Sequence, residues 1–135
     1  MTQATHIPVL LEAVLRLLQP RANGTYIDAT LGAGGHAEAL LQASGPQGRL
    51  LGLDQDTTAL HIARTRLAVY GDRADLVHAN FRDLSRVAQT QGWTAADGIL
   101  SGQRVANRIG HRTMLCIPPA GAPMQWSELI GLLGP

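Results

Sequence analysis

The segment that most constrains the fold is Asp28-Ala29-Thr30-Leu31-Gly32-Ala33-Gly34-Gly35-His36. It follows an apolar, strand-like run, Thr25-Tyr26-Ile27, and opens a helix-like run, Ala37-Glu38-Ala39-Leu40-Leu41. Glycines at a strand-to-helix junction let a ligand approach the backbone and meet the amides of the helix N-terminus. Asp28, just upstream, predicts that the ligand also carries a positive or hydroxyl-rich part.

The rest of the first hundred residues repeats the same alternation. Residues 8–19 read as a helix, with Val9, Leu10, Ala13, Val14, Leu17 and Leu18 at spacings of three and four. Pro20 and Asn23-Gly24 end it and turn the chain. Residues 25–29 predict a first strand and 34–43 the next helix. Arg49-Leu50-Leu51-Gly52-Leu53 predicts a second buried strand that ends at Asp54. Asp56-Thr57-Thr58 supplies N-cap chemistry for a helix over about 57–69, and residues 74–78 predict a third strand. A short helix near 83–90 and a fourth strand over 96–100 complete the series. Strands and helices in βαβ order imply a doubly wound, parallel α/β sheet.

Beyond Leu100 the pattern dissolves. Residues 101–135 hold five of the fifteen glycines and four of the seven prolines, and only Trp126 to Leu133 hints at a helix. All eleven basic residues are arginine, eight against nine acids up to residue 100 and three against one acid beyond it. Such a balance does not make the clustered basic face by which nucleic-acid binding is often recognised. No apolar run approaches the roughly 20 residues of a membrane span, and the N-terminus lacks signal-peptide features. With Cys116 as the one cysteine, a disulfide framework is excluded and a cytoplasmic location is expected. No histidine shows metal-ligand spacing, so no metal is expected.

Gly32-x-Gly34-x-x-Ala37 satisfies the dinucleotide fingerprint, with Asp54 near the distance of a ribose-binding acid. That pattern suits NAD, FAD and S-adenosylmethionine alike. Asp28 discriminates among them, because a pyrophosphate would bring about two negative charges toward its carboxylate in a partly dry site. S-adenosylmethionine brings an ammonium and a sulfonium instead. Asp54 is then placed to accept from ribose hydroxyls, and Asn80 and Phe81 to frame an adenine edge and face. Each residue also has a plainer role open to it: Asp28 as a loop cap, Asp54 as a neighbour of the Asp56 cap, Phe81 in the core. His36 either meets the ligand or packs, with a lowered pKa expected from the helix dipole.

Several stretches carry a specific resemblance. His6-Ile7-Pro8-Val9-Leu10-Leu11-Glu12-Ala13-Val14, Gly24 through His36, Gly45-Pro46-Gln47-Gly48-Arg49-Leu50, Leu53-Asp54-Gln55-Asp56, His78-Ala79-Asn80-Phe81 and Asp97-Gly98-Ile99-Leu100 are ordered and spaced as in one family. Together, over about residues 5–100, they resemble the bacterial ribosomal RNA small-subunit methyltransferase H family. The resemblance implies a Rossmann-like class I methyltransferase fold. It also implies methyl transfer from S-adenosylmethionine to the exocyclic N4 of a cytidine in 16S ribosomal RNA. By motif matching, Gly34, Gly35, His36, Asp54 and Phe81 fall on the family's cofactor positions, and Asp28, Gly32 and Asn80 join them from the reading of the residues.

After Leu100 the chain departs from that pattern. Family members continue into an Asp-Leu-Gly-Val-Ser-Ser-Pro-Gln-like segment, where this chain has Ser101-Gly102-Gln103-Arg104-Val105-Ala106. Gly102 stands where an aspartate is expected. The resulting expectation is half of a methyltransferase domain over 1–100, truncated after the fourth strand, and a divergent Gly/Pro-rich tail over 101–135 of a composition compatible with poor order. A frame-shifted gene would produce that switch. Two functions remain open at this point: an active methyltransferase of ribosomal RNA, or an inactive remnant that at most binds the cofactor. A homodimer that completes the sheet is also open.

Overall fold

The computed structural model of the chain describes residues 9–101, 104–109 and 112–116. Four helices, α1 (Val9–Leu18), α2 (Gly35–Ala43), α3 (Thr57–Leu67) and α4 (Leu84–Thr90), alternate with strands β1 (Thr25–Asp28), β2 (Arg49–Asp54), β3 (Ala74–His78) and β4 (Gly98–Ser101). Two further strands follow, β5 (Arg104–Ile109) and β6 (Arg112–Cys116). All six form one sheet in the order β3-β2-β1-β4-β5-β6. The first four strands are mutually parallel, and β5 and β6 are antiparallel additions beyond β4.

The central strands are apolar on both faces because both faces are covered. Alternate side chains of one strand point to opposite sides. Thus Ile27 and Leu51 join Leu84, Val87, Ala88 and Trp93 of the α4 side. Their neighbours Tyr26 and Leu50 join Val14, Leu18, Leu40, Leu41, Leu60 and Leu67 of α1, α2 and α3. Leu50 and Leu51 are fully buried, each contributing about 1.5–3 kcal/mol of apolar transfer. Helix α1 stops where Gln19 takes a left-handed φ of 47° before Pro20, a residue that disfavours helix in its predecessor. Asp56 caps α3 by accepting from the Thr58 and Ala59 amides at 2.9 and 3.5 Å.

Two details differ from the periodicity. The third helix ends at Leu67, and Ala68–Arg73 form a 3-10 segment broken by Gly71 at φ 57°. Among the described residues the parallel part of the sheet ends at the fourth strand, yet the chain does not lose regular structure at Leu100. β5 and β6 extend the sheet through a region where no strand was legible. The reason lies in the pattern: Asn107 interrupts the apolar alternation of Val105 and Ile109, and arginines sit near both ends of β5. Trp126–Leu133, Pro118-Pro119, His6 and His111 lie outside the described residues. Among the described residues no helix is long and apolar enough to cross a membrane.

Candidate functional site

In an open parallel sheet, ligands bind beyond the carboxyl ends of the strands where the strand order reverses. Here that point lies at β1, which pairs with β2 on one side and β4 on the other. The chain leaving β1 stays fastened to both neighbours. The Ala29 amide donates to the Leu100 carbonyl and the Leu31 amide to the Leu53 carbonyl, both at 2.8 Å. Gly32 and Gly34 then take φ of 57° and 92°, left-handed conformations that suit glycine, and Gly34 caps α2 with no side-chain partner.

Asp54, the last residue of β2, holds this loop. Its Oδ2 accepts from the Gly32 amide at 2.7 Å and its Oδ1 from the Asp56 amide at 2.8 Å. Asp54 therefore is more than a neighbour of the α3 cap: one carboxylate ties the glycine loop to the start of α3. Each oxygen retains acceptor capacity after these single bonds.

Asp28 ends β1 and is 1% exposed. Its Oδ1 accepts from the Thr30 amide at 3.2 Å, so the loop-capping role expected of it is real. That single bond does not offset the burial. Desolvation pushes its pKa up to about 7, opposed by the Thr30 amide and reinforced by the Asp54 carboxylate. No ion pair neutralises it among the described residues.

Asp54 and Phe81 meet across a cleft of about 220 Å³, lined also by Ala29, Thr30, Gln55 and Ala79. Pockets that enclose a drug-sized ligand run to about 300–1,000 Å³, so this cleft has room for part of such a ligand. Phe81 is half-buried, lines the cleft and also packs on the α4-side core, so the core role expected of it holds. Asn80 does not line the cleft. Its Oδ1 accepts from the Arg82 amide at 3.0 Å and its Nδ2 donates to Gln55 Oε1 at 2.7 Å. A larger depression of about 330 Å³ borders Arg64, Leu67 and Asp75, beside the amino-terminal half of β3 and so at the opposite end of that strand from the cleft.

The remaining predicted residues gather at the start of α2. Gly34 packs toward Ala63 and Leu67 of α3, Gly35 lies near the Arg66 guanidinium, and none of Gly34, Gly35 or His36 lines the cleft. His36 Nε2 is buried without a hydrogen-bond partner. Its pKa is lowered as expected, and the cause is desolvation by burial.

The family model described as the MraW methylase family matches residues 3–106 of this chain. The chain belongs to the MraW methylase family. Ribosomal RNA small subunit methyltransferase H of Symbiobacterium thermophilum is 54% identical over 95 residues, covering 70% of this chain and 30% of that protein. This chain thus spans about 30% of the length of that relative. Among solved structures, TrmN from Thermus thermophilus superposes with a TM-score of 0.59 at 27% identity, over 73% of this chain and 29% of the other. An S-adenosylmethionine-dependent O-methyltransferase from Thermotoga maritima superposes with a TM-score of 0.51 at 19% identity, over 62% and 32%. The fold is the class I S-adenosylmethionine-dependent methyltransferase fold.

Within this MraW-family site, sequence reasoning missed Thr30 and Gln55, which line the cleft. Both lie within the quoted motifs, so position was a usable signal. Their side-chain types, common in solvent-exposed turns, hid it.

Proposed function

We propose that this chain binds S-adenosylmethionine and forms the cofactor-binding part of an enzyme that methylates the exocyclic N4 of a cytidine in 16S ribosomal RNA. The observation that carries the cofactor is Asp28, a carboxylate 1% exposed that has one backbone hydrogen bond and no cationic partner among the described residues. A cationic ligand relieves that burial, whereas a pyrophosphate would add about two like charges beside it. The names of the relatives support the RNA substrate.

When bound, S-adenosylmethionine supplies a methyl group made electrophilic by its sulfonium. The chain's own residues hold it. Asp54 accepts from the ribose hydroxyls with the lone pairs left by Gly32 and Asp56. Phe81 offers an aromatic face at the base end of the cleft. Gly32 and Gly34 give the loop the left-handed turns that lead into α2, and His36, whose pKa burial lowers, places a polar nitrogen at the start of that helix. Cytosine N4 is a weak nucleophile because its lone pair is delocalised, so transfer requires alignment in line with the methyl group and loss of a proton.

A second reading, cofactor binding without transfer, is favoured by one observation. Ser101 of β4 pairs with Arg104 of β5, in the segment where the sequence departs from the family pattern. The reading as a ribosomal RNA enzyme places the protein in the cytoplasm. A homodimer would pair β6, an edge strand among the described residues, with its copy; sedimentation velocity distinguishes it from a monomer.

Calorimetric titration tests the cofactor: S-adenosylmethionine and S-adenosylhomocysteine bind and NAD does not. A cooperatively folded chain that binds neither adenosyl compound would overturn the proposal. Tritiated-methyl transfer to small subunits lacking the modification then decides between the two readings.

A further inference from the structure

The exposed end of the cleft carries a chain of amides whose direction is set from within the protein. A backbone amide can only donate, so the Arg82 N–H fixes which end of the Asn80 side chain faces it: Oδ1, at 3.0 Å. The Asn80 Nδ2 is thereby turned outward as a donor, and it meets Gln55 at 2.7 Å. That contact requires the Gln55 oxygen, so the oxygen–nitrogen assignment of Gln55 follows from the network rather than from a choice between two similar atoms. The backbone of Gln55 is held as well, its carbonyl 3.0 Å from His78 Nε2. The consequence is a glutamine that lines the cleft between Asp54 and Phe81 with its Nε2 left over. Its two N–H donors have no partner among the described residues.

We infer that Gln55 is a specificity-determining residue that donates a hydrogen bond to a ring-nitrogen acceptor of the bound nucleobase, and that Asn80 is the positioning residue that makes it a donor. The inference rests on the adenosyl-ligand reading above. It differs from the sequence expectation in which Asn80 itself met the adenine edge: both ends of the Asn80 amide are engaged inside the protein, and the group offered to the ligand is one residue beyond Asp54. A glutamine free to rotate would present oxygen or nitrogen equally and would discriminate little. One held by Asn80 rejects a base that lacks the acceptor, because a donor withdrawn from water is then unpaired.

The test is a set of affinities for S-adenosylhomocysteine and its 1-deaza, 3-deaza and 7-deaza analogues, in each of which one acceptor nitrogen becomes C–H. With the unaltered chain, one of the three analogues is expected to bind about three- to tenfold more weakly than the parent compound. In Gln55→Ala the same analogue and the parent bind equally, since the side chain that distinguishes them is gone. Asn80→Asp provides the decisive variant. The introduced carboxylate still accepts from the Arg82 amide, so the local turn survives, but it can no longer donate to Gln55. The Gln55 amide then turns over to donate to that carboxylate and presents its oxygen to the base. The preference for the parent over the sensitive analogue is expected to vanish or invert, while the thermal midpoint stays close to that of the unaltered chain. Comparing ratios between two neutral bases cancels the added charge of the variant.

If no analogue distinguishes the unaltered chain from Gln55→Ala, or if Asn80→Asp keeps the original preference, the inference is overturned although the adenosyl reading stands. If a folded chain binds none of the four compounds, the adenosyl reading fails and takes this inference with it.

Discussion

The Gly32 amide and the Asp54 carboxylate, 22 residues apart in the chain, meet at 2.7 Å. The bond fastens the glycine loop after β1 to the end of β2, so the loop geometry and the carboxylate we propose for the ribose are one unit. Asp54→Asn has a single acceptor oxygen for two backbone donors, Gly32 and Asp56. We expect a loss of about 1–3 kcal/mol in urea unfolding, the cost of an unsatisfied amide, together with a drop in S-adenosylmethionine affinity measured by calorimetry.

Asp28→Asn should separate stability from binding. The carboxyl of Asp28 titrates at about 7 in the folded chain against 3.8 as its ordinary value. The folded state therefore binds more protons than the unfolded one between those two pH values, and stability falls as pH rises through that window. Above pH 7 the charge is buried at full cost. Asp28→Asn is expected to gain on the order of 2–4 kcal/mol at pH 8, and to lose the stability decrease that this carboxyl contributes between about pH 4 and 7. The same variant should bind S-adenosylmethionine more weakly. A variant less stable than the parent at pH 8 would contradict this account.

Cofactor affinity should also depend on pH through Asp28. A cationic ligand favours the carboxylate, so below pH 7 binding must first expel a proton. Affinity for S-adenosylmethionine is expected to fall by up to about tenfold per pH unit as pH drops below 7. Burial lowers the pKa of His36, which moves its titration away from the window of Asp28. Titration of the unaltered chain beside Asp28→Asn from pH 6 to 8.5 checks this, because the slope should be absent from the variant.

Gly52→Ala tests how closely the loop rests on the sheet. A Cβ at Gly52 would lie 2.9 Å from Leu31 Cδ1 and 3.0 Å from Leu76 Cδ2. The loop leucine must shift, at a cost of about 1–3 kcal/mol, and the cofactor site with it. Gly92→Ala is the control: its φ of 82° imposes strain, but a Cβ there meets open space. Thermal unfolding should show both variants destabilised, with cofactor affinity reduced in Gly52→Ala alone.

At the opposite end of β1, Asp97 and Arg21 should behave unequally despite their ion pair at 2.7 Å. Asp97 Oδ2 also accepts from the Thr25 amide at 2.9 Å, so Asp97→Ala leaves a backbone donor unpaired and costs about 1–3 kcal/mol. The Arg21 side chain is 68% exposed, and Arg21→Ala should cost at most about 1 kcal/mol. Urea midpoints at constant slope measure the difference.

What could be read from the residues unaided is local. Alternating apolar runs marked β1 to β4, Asp56 followed by two threonines marked the start of α3, and the glycines between Thr25 and Ala37 marked the ligand loop. These features depend on neighbours within a few residues, which is why propensity, capping and turn chemistry suffice to read them. The ordered motifs pointed to the family for the same reason.

Partners emerge only when the sheet assembles. The placement of β1 between β2 and β4 brings Asp28 under the charge of Asp54 and strips it of water. The packing of β3 beside β2 sets Asn80 against Gln55, 25 residues away, and so engages within the protein a side chain expected to meet the ligand. The cause of the lowered His36 pKa, burial rather than the helix dipole, likewise depends on what surrounds the ring. Strands β5 and β6 escaped the sequence because an edge pairing requires backbone donors and acceptors more than a pattern of side chains. Desolvation and long-range hydrogen bonding are properties of the folded sheet, and no single segment carries them.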